Sequence, residues 1–211
     1  MPDALPPRHK APRRTAQRIL DMALVLFNRY GEPEVSTQRL AAALHISPGK
    51  LHYHYPAKAL LVEALFDHYL AAQTALVGQA PQVHDPTTLH AWLRELVALA
   101  WDYRFLQRDQ NELLTRNHRL ETQWPAATQA LEHALHDTLV RLALPADPAQ
   151  RPALLATLTL LLGQWLSRDF LLDPRHALDD DQLDAAEARV LGQLQGLLAL
   201  AGALPPPPPP T

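Results

Sequence analysis

The sequence of 211 residues contains no cysteine and only seven glycines. The absence of cysteine excludes disulfide bonds, thiol catalysis and thiolate metal sites. The glycines form no phosphate-cradling cluster, and no serine stands in a nucleophile elbow. Charged residues make up 19% of the chain, below the roughly 25% that is typical of soluble domains. We therefore expect a well-buried core, no enzyme activity and no cofactor.

Long apolar runs are also missing. No uninterrupted run approaches the ~20 residues that a membrane-crossing helix needs. The first residues, MPDALPPRHKAPRR, are rich in proline and arginine and lack the apolar stretch of a secretory signal. We expect a cytoplasmic protein that does not enter a membrane.

The net charge of −3 hides a division of charge along the chain. The first 58 residues hold nine basic and four acidic residues, a net charge of +5, whereas the other 153 residues carry a net charge of −8. A basic segment on an acidic remainder suggests a polyanionic partner bound at one end. A chance imbalance of charge in a terminal segment explains the same numbers, so charge alone does not show that this segment binds a polyanion.

Apolar residues recur at helical spacing through almost the whole chain, and no stretch alternates as a strand would. The fold class is therefore predicted to be all-α. Breakers and caps predict helices at 15–30, behind Ser36, behind Ser47, and at 57–76, 87–103, 105–116, 125–143, 149–172 and 180–203. Pro125 is expected to open the helix at 125–143, and Asp147 and Asp179 to cap the last two helices.

Two short helices are separated only by His45, Ile46 and Ser47. So short a turn makes two helices cross steeply, which is helix-turn-helix geometry. A generic helical corner has the same spacing. The outer face of the second short helix favours DNA binding, because it is small, basic or hydrogen-bonding. Lys50 suits the O6/N7 edge of guanine, and Gly49 permits close backbone approach.

The stretch RILDMALVLFNRYGEPEVSTQRLAAALHISPGKLHYHYPAKALLVEAL resembles the DNA-binding segment of tetracycline-repressor (TetR) type regulators. The resemblance covers about residues 15–65 and includes Phe27, Gly31, Leu40-Ala41 and the pattern from Ser47 to Lys58. This resemblance, together with the polar and basic side chains on the outer face of the second short helix, implies a set of DNA contacts. The residues are Ser36, Thr37, Gln38, Ser47, Pro48, Gly49, Lys50, His52, Tyr53, His54 and Lys58. His52 stands where the family usually has tyrosine, and His45 where a glycine commonly lies in the turn. If position 45 is left-handed, histidine tolerates it better than most residues do.

The remainder of the chain is expected to hold a partner and a ligand. The resemblance implies that the last two helices form a four-helix bundle with those of a second copy; burial within one chain is the alternative. The expected dimer residues are Leu158, Leu162, Trp165, Val190, Gly192, Leu194, Gly196 and Leu197. The resemblance also implies an effector pocket, for which the candidates are Trp92, Trp101, Tyr103, Phe105, Arg108, Trp124 and Trp165. The segment 101–124 further resembles a subgroup that shares a Tyr-Arg-Phe stretch followed by Arg-Asp.

These observations predict four parts: a flexible basic arm (1–14), a helix-turn-helix head (15–58), an effector-binding and dimerisation body (59–204) and a polyproline tail (205–211). We expect a homodimeric repressor that a small molecule releases from a near-palindromic DNA operator. An architectural DNA-binding protein without an effector is one alternative. A helical-bundle metalloprotein is a weaker one, since Glu132, His133 and His136 share a helix but the paired Glu-x-x-His motifs of di-metal bundles are absent.

Overall fold

The computed structural model describes residues 10–172 and 183–200, and within these ranges it contains ten α-helices and no strand. The all-α prediction is confirmed. The head contains α1 (Lys10–Tyr30), α2 (Thr37–Ala43) and α3 (Pro48–His54). The helices that follow are α4 (Lys58–Gln79), α5 (Pro86–Asp102), α6 (Arg104–Arg108), α7 (Gln110–Arg116), α8 (His118–Arg141), α9 (Arg151–Leu172) and α10 (Leu183–Leu200). Asp179, residues 1–9 of the predicted arm and the polyproline tail lie outside the described residues.

The two short helices of the head begin where their caps predict. The Ser36 hydroxyl accepts a hydrogen bond from the backbone N–H of Arg39 at the start of α2. The Ser47 hydroxyl accepts one from Lys50 at the start of α3. Each hydroxyl satisfies a donor that the first helical turn leaves unpaired, which stabilises a helix end by about 1 kcal/mol. The backbone becomes extended at Tyr55, directly before Pro56, so α3 ends there.

Three helix boundaries differ from the prediction. The helix α1 begins at Lys10 rather than at Thr15, so residues 10–14 of the predicted arm are helical. The helix α8 begins at His118, because the Asn117 side chain accepts from two N–H groups of the first turn. Pro125, expected to open that helix, lies inside it on an exposed position. The predicted helix 105–116 is divided into α6 and α7 at Asp109.

The described residues form two apolar cores. One contains the inner faces of α1–α3 together with residues from α4, α6, α7 and α8, and Phe27 and Phe105 are both fully buried in it. The other is built from α5, α8, α9 and α10, with contributions from the turn after α4. Since α4 and α6 supply the first core, the head and the body share packing rather than meeting at a linker.

The helix α4 is unusually apolar. The segment 58–82 has the length and composition of a membrane-crossing helix by those two criteria alone. In this fold Leu61, Leu65 and Phe66 of α4 are buried in the core shared with the head. One side of α4 therefore packs inside the protein.

The turn between α2 and α3 contains a strained residue. His45 has φ = +53°, so the left-handed position considered from the sequence is present. An L-residue in this region pays roughly 1–2 kcal/mol that glycine does not pay. We expect His45→Gly to raise the free energy of unfolding by about 1 kcal/mol after the greater chain entropy of glycine is subtracted. Urea unfolding measures the change. His45→Val should lower the stability instead, and equal stability of the glycine and valine variants would contradict this account.

Candidate functional site

The outer face of the head presents the residues expected to contact DNA. Eight of the eleven are exposed and three, Thr37, His54 and Lys58, are partly buried. Tyr53 is 78% exposed, and its ring meets the ring of His54 edge-on at 5.2 Å. Its ring and hydroxyl are therefore accessible to a partner molecule. The inner face of α3 is anchored by Leu51, which is buried in the head core.

Lys58 is less available for a DNA contact than its place beside α3 suggests. Its ammonium group lies 2.9 Å from a carboxylate oxygen of Glu32 and donates to the Glu32 backbone carbonyl at 3.0 Å. The carboxylate is almost fully buried, so the pair is shielded from solvent. Lys58 therefore fixes the start of α4 against the loop after α1, which the sequence reasoning missed because only the fold brings residues 32 and 58 together.

A second cation on this surface was also missed. The guanidinium of Arg39, on the exposed side of α2, lies 3.8 Å from the centre of the Tyr30 ring. Such stacking holds a flexible side chain in one orientation and leaves its N–H groups free to face outward. Arg39 thus adds positive charge beside the N-terminal ends of α2 and α3.

The head is joined to the body by a buried amide. The Asn28 side chain donates to the carbonyl of Asp102 at 2.7 Å and accepts from the N–H of Phe105 at 3.1 Å. Asn28 is 5% exposed, so both bonds are shielded from water. They satisfy peptide groups at the break between α5 and α6, where the regular helical bonding is interrupted. Beside them the rings of Phe27 and Phe105 pack at 5.4 Å.

A buried carboxylate makes the next contact between head and body. An oxygen of Asp109, between α6 and α7, accepts from the backbone N–H of Glu32 at 2.6 Å. Gly31 has φ = +86°, and a side-chain carbon there would lie 3.3 Å from the Arg108 guanidinium. The positive φ favours glycine here, and a side chain would in addition require the Arg108 guanidinium to shift by a few tenths of an ångström. Burial raises the pKa of Asp109 to about 6, although the Glu32 N–H and Arg108 both favour the charged form.

The body contains a cavity of about 280 Å³ between α4, α5, α8 and α9, with α6 and α7 at one side. Its aromatic wall is formed by Tyr69 and Trp124, whose rings stack at 6.1 Å. Its polar lining consists of Gln73, Gln107, Gln110, Thr128, Thr159 and Gln164. The other lining residues are aliphatic or glycine, so no charged side chain among the described residues lines this cavity.

The cavity differs from the one expected from the aromatic residues. Of the seven candidates, only Trp124 lines it. Trp92 and Trp101 are buried in the body core and Phe105 in the head core, while Arg108 lies against Gly31. Tyr103 contacts Tyr69 edge-on, and Trp165 stacks on Trp101. Helical periodicity identified these rings as buried, but it does not distinguish core packing from the lining of a cavity.

The expected dimer residues are likewise divided between two environments. Leu158, Leu162, Trp165, Val190 and Leu194 are all buried in the core of one chain. Each of these five side chains already packs within the protomer, and their place in a dimer contact stays a prediction. Leu197 packs partly against the same core. Gly192 and Gly196 remain on the outside, with open space where a side-chain carbon would stand.

Comparison with known proteins identifies the family to which this chain belongs. Residues 19–65 match the family model described as bacterial regulatory proteins of the tetR family. Residues 67–200, more than half of the chain, match the model described as bacterial transcriptional repressor, TetR. The chain belongs to the TetR family. It is a DNA-binding transcriptional regulator with an N-terminal helix-turn-helix domain and a C-terminal helical domain.

Individual relatives of this TetR-family chain are distant. It is 28% identical over 81 residues to the nucleoid occlusion factor SlmA of Haemophilus ducreyi, a match that spans 38% of this chain and 40% of the relative. A TetR-family regulator from Marinobacter aquaeolei VT8 has a TM-score of 0.74 at 24% identity, covering 90% of this chain and 92% of the other. NalD, the secondary repressor of the MexAB-OprM multidrug efflux pump in Pseudomonas aeruginosa, has a TM-score of 0.55 at 19% identity, covering 86% and 94%. At these identities the likeness to solved structures establishes the fold alone.

The raised pKa of Asp109 predicts a particular dependence of stability on pH. The native state binds the Asp109 proton more tightly than the unfolded state does, so this group's stabilisation is full below pH 3.8 and is lost as pH rises through about 6. Asp109→Asn keeps an oxygen that accepts from Glu32 and carries no charge. We expect the variant to lose the decline between about pH 4 and pH 6, and to be more stable than the natural chain at pH 7.5 by on the order of 2 kcal/mol.

Urea unfolding across pH 3–8 measures this difference. Asp85→Asn is the matched control, because hydrogen bonds from the Thr88 backbone lower the pKa of Asp85, which gives it the opposite sign. Asp85 contributes stability that is present above its unfolded pKa and is lost as pH falls, so Asp85→Asn should be less stable than the natural chain above that pKa and should approach it at acidic pH. Identical curves for the natural chain and Asp109→Asn between pH 4 and pH 6 would contradict the assignment.

Proposed function

We propose that two copies of this chain bind a near-palindromic operator, with α3 of each copy in successive major grooves, and that a small molecule in the body cavity releases them. The observation that carries the proposal is the outer face of α3, which is exposed, free of acidic residues and capped by Ser47 beside Lys50 and Tyr53. We propose repression as the mode of action, and the cytoplasm, where the operator lies, as its location. Regulation rather than catalysis fits the family.

The contacts that we propose fall into two kinds. Lys50 reads a guanine edge, because it lies in the first turn of α3, the part that enters the groove. Ser36, Thr37, Gln38, Ser47, Pro48, Gly49, His52, Tyr53 and His54 surround it and hold the DNA backbone through hydroxyl, imidazole and N–H groups. Arg39 joins this second kind. Lys58 acts by positioning α4, since its charge is already paired with Glu32.

We propose that the second copy covers the outward faces of α9 and α10. Leu160 of α9 is 64% exposed, so a large apolar side chain is available on this outward face. On α10 the exposed positions include Ala185, Ala188, Gly192 and Gln193. Small side chains let a partner helix approach closely, which supports a bundle of four helices between the two copies.

We propose that effector binding reaches the head through α6. Gln107 lines the cavity, and two residues later Asp109 bonds to the loop after α1. A ligand that moves Gln107 therefore acts on the short segment that fixes the head. The separation of the two heads would change, and with it the affinity for two half-sites at fixed spacing.

Selection of bound sequences from random duplex DNA tests the proposed recognition, followed by titration of the selected duplex at two salt concentrations. We expect a near-palindromic consensus bound by two copies. Lys50→Ala should weaken the selected duplex by about 1–3 kcal/mol and relax the preference at one base pair of each half-site. Tyr53→Phe, which keeps the ring and removes the hydroxyl, should weaken all duplexes by the same factor.

Each other outcome has a distinct meaning. Salt-dependent binding without a consensus would favour an architectural DNA-binding protein. Absence of binding at low salt would contradict the assignment of the head. If Tyr53→Phe shifted the consensus and Lys50→Ala weakened all sequences alike, the two roles would be reversed.

The dimer surface has its own prediction. Leu160→Arg places a charge where we propose that two copies meet, so it should weaken self-association by at least about tenfold. Analytical ultracentrifugation over a range of concentrations measures this. Val140→Arg is the matched control, since Val140 is a 46% exposed apolar residue on α8. Dimerisation of Leu160→Arg with the affinity of the natural chain would place the contact elsewhere.

A further inference from the structure

The body cavity contains buried hydrogen-bonding atoms that nothing in the protein satisfies. Gln73 is 6% exposed and Gln107 is 9% exposed, and the side-chain oxygen of each has no hydrogen-bond partner. Both residues line the cavity. A buried acceptor left unpaired costs about 1–3 kcal/mol, and native proteins rarely retain such atoms without a reason. Two of them beside one cavity indicate a ligand that donates to them.

The orientation of the Gln107 amide is determined by its other contact. Its nitrogen donates to the backbone carbonyl of Leu162 at 3.3 Å. Turning the amide over would place two oxygens against each other, so the oxygen is the free atom. Gln107 therefore presents an acceptor, and it does so from α6, the helix that also contacts the head.

Thr159 adds a third unsatisfied group to the cavity. Helical threonines elsewhere in this chain, among them Thr128, Thr138 and Thr157, donate to the carbonyl four residues earlier. The Thr159 hydroxyl is buried and makes no hydrogen bond. Since a hydroxyl can donate or accept, it suits a polar atom of a ligand whose position is determined by the two glutamines.

The other residues that line the cavity restrict the charge and the shape of a ligand that fits there. No charged side chain among the described lining residues compensates an ion, and an unpaired ion would lose its hydration on entry. Burial raises the pKa of Tyr69 to about 12, so this phenol also stays neutral. The stacked rings of Phe66, Tyr69 and Trp124 end at the cavity and offer a flat surface. A volume of about 280 Å³ is at the small end of ligand pockets.

We propose that this cavity binds an uncharged aromatic molecule of one or two rings that carries N–H or O–H donors, a class that includes phenols and aryl amides. Its donors pair with the oxygens of Gln73 and Gln107, and its ring packs against Tyr69 and Trp124. The inference rests on the proposed function only in identifying this molecule with the effector. Binding to the protein without DNA is independent of that identification.

Three probes of one shape test the proposal by isothermal titration with the full chain. These are β-naphthol, which is neutral and donates; its methyl ether, which is neutral and cannot donate; and β-naphthoate, which is an anion. We expect β-naphthol to bind at least about tenfold more tightly than either of the others, because only it satisfies a buried acceptor without bringing a charge. Equal or tighter binding of the ether or the anion overturns the proposal. Failure of all three to bind at their solubility limits overturns it as well.

Variants test which side chains cause the preference for β-naphthol over its methyl ether. Gln107→Leu and Gln73→Leu each remove one acceptor. Because β-naphthol has a single O–H donor, the variant that removes the acceptor it uses should lose the preference for β-naphthol over its ether. Gln110→Leu is the matched control, since Gln110 lines the same cavity but its oxygen already accepts from Gln164 at 3.2 Å. The preference of Gln110→Leu for β-naphthol over the ether should equal that of the natural chain. The far-UV circular dichroism spectrum and cooperative urea unfolding show whether each variant is folded. An unchanged preference in both acceptor variants overturns the assignment of the donors to these glutamines.

The same probe separates this inference from the proposed function. If β-naphthol binds with the expected preference and lowers operator affinity, both stand. If it binds with that preference and leaves operator affinity unchanged, the ligand class stands and its role as the effector fails.

Discussion

The structure depends on the pairing of buried polar groups where the head meets the body. The chain breaks its helix between Asp102 and Phe105, and the Asn28 side chain bonds to the peptide group on each side of the break. Without that amide, the buried N–H of Phe105 would lose the partner that Asn28 supplies, which costs about as much as a lost hydrogen bond. The hydrogen bonds of Asn28 therefore hold α1 against α6. They make the position of α3, one short helix further along the chain, dependent on the body.

Charged groups extend the same junction. Lys58 is paired with Glu32, the Glu32 N–H donates to Asp109, and Arg108 lies over Gly31. Removing Lys58 would leave the buried carboxylate of Glu32 without its ion-pair partner, which costs more than breaking a surface ion pair. This set of contacts therefore favours discrete arrangements of head and body over gradual displacement. This is the property that a two-state regulator needs, since a ligand changes an equilibrium only between states that differ in free energy.

Several features were open to prediction because they are local. Ser36, Ser47 and Pro48 act within a few residues of themselves, so the caps and the turn of the head follow from the printed sequence. The left-handed His45 belongs to the same class, because its conformation depends on the turn that contains it. The start of α8 was mispredicted for a related reason: Asn117 and Pro125 are both acceptable helix openers, and the cap at Asn117, which also bonds to Glu63 of α4, prevailed.

The helical class, the helix-turn-helix head and the buried positions follow from the sequence, because periodicity, capping and turn length act over short distances along the chain. The surface that each buried side chain meets depends instead on the packing of the whole fold. Trp101 and Leu158 pack within one core, Gln73 and Gln107 face a cavity, and Lys58 pairs with Glu32 rather than remaining free. Periodicity records that a residue is buried. What it is buried against depends on contacts between residues distant in the chain, which no local pattern contains.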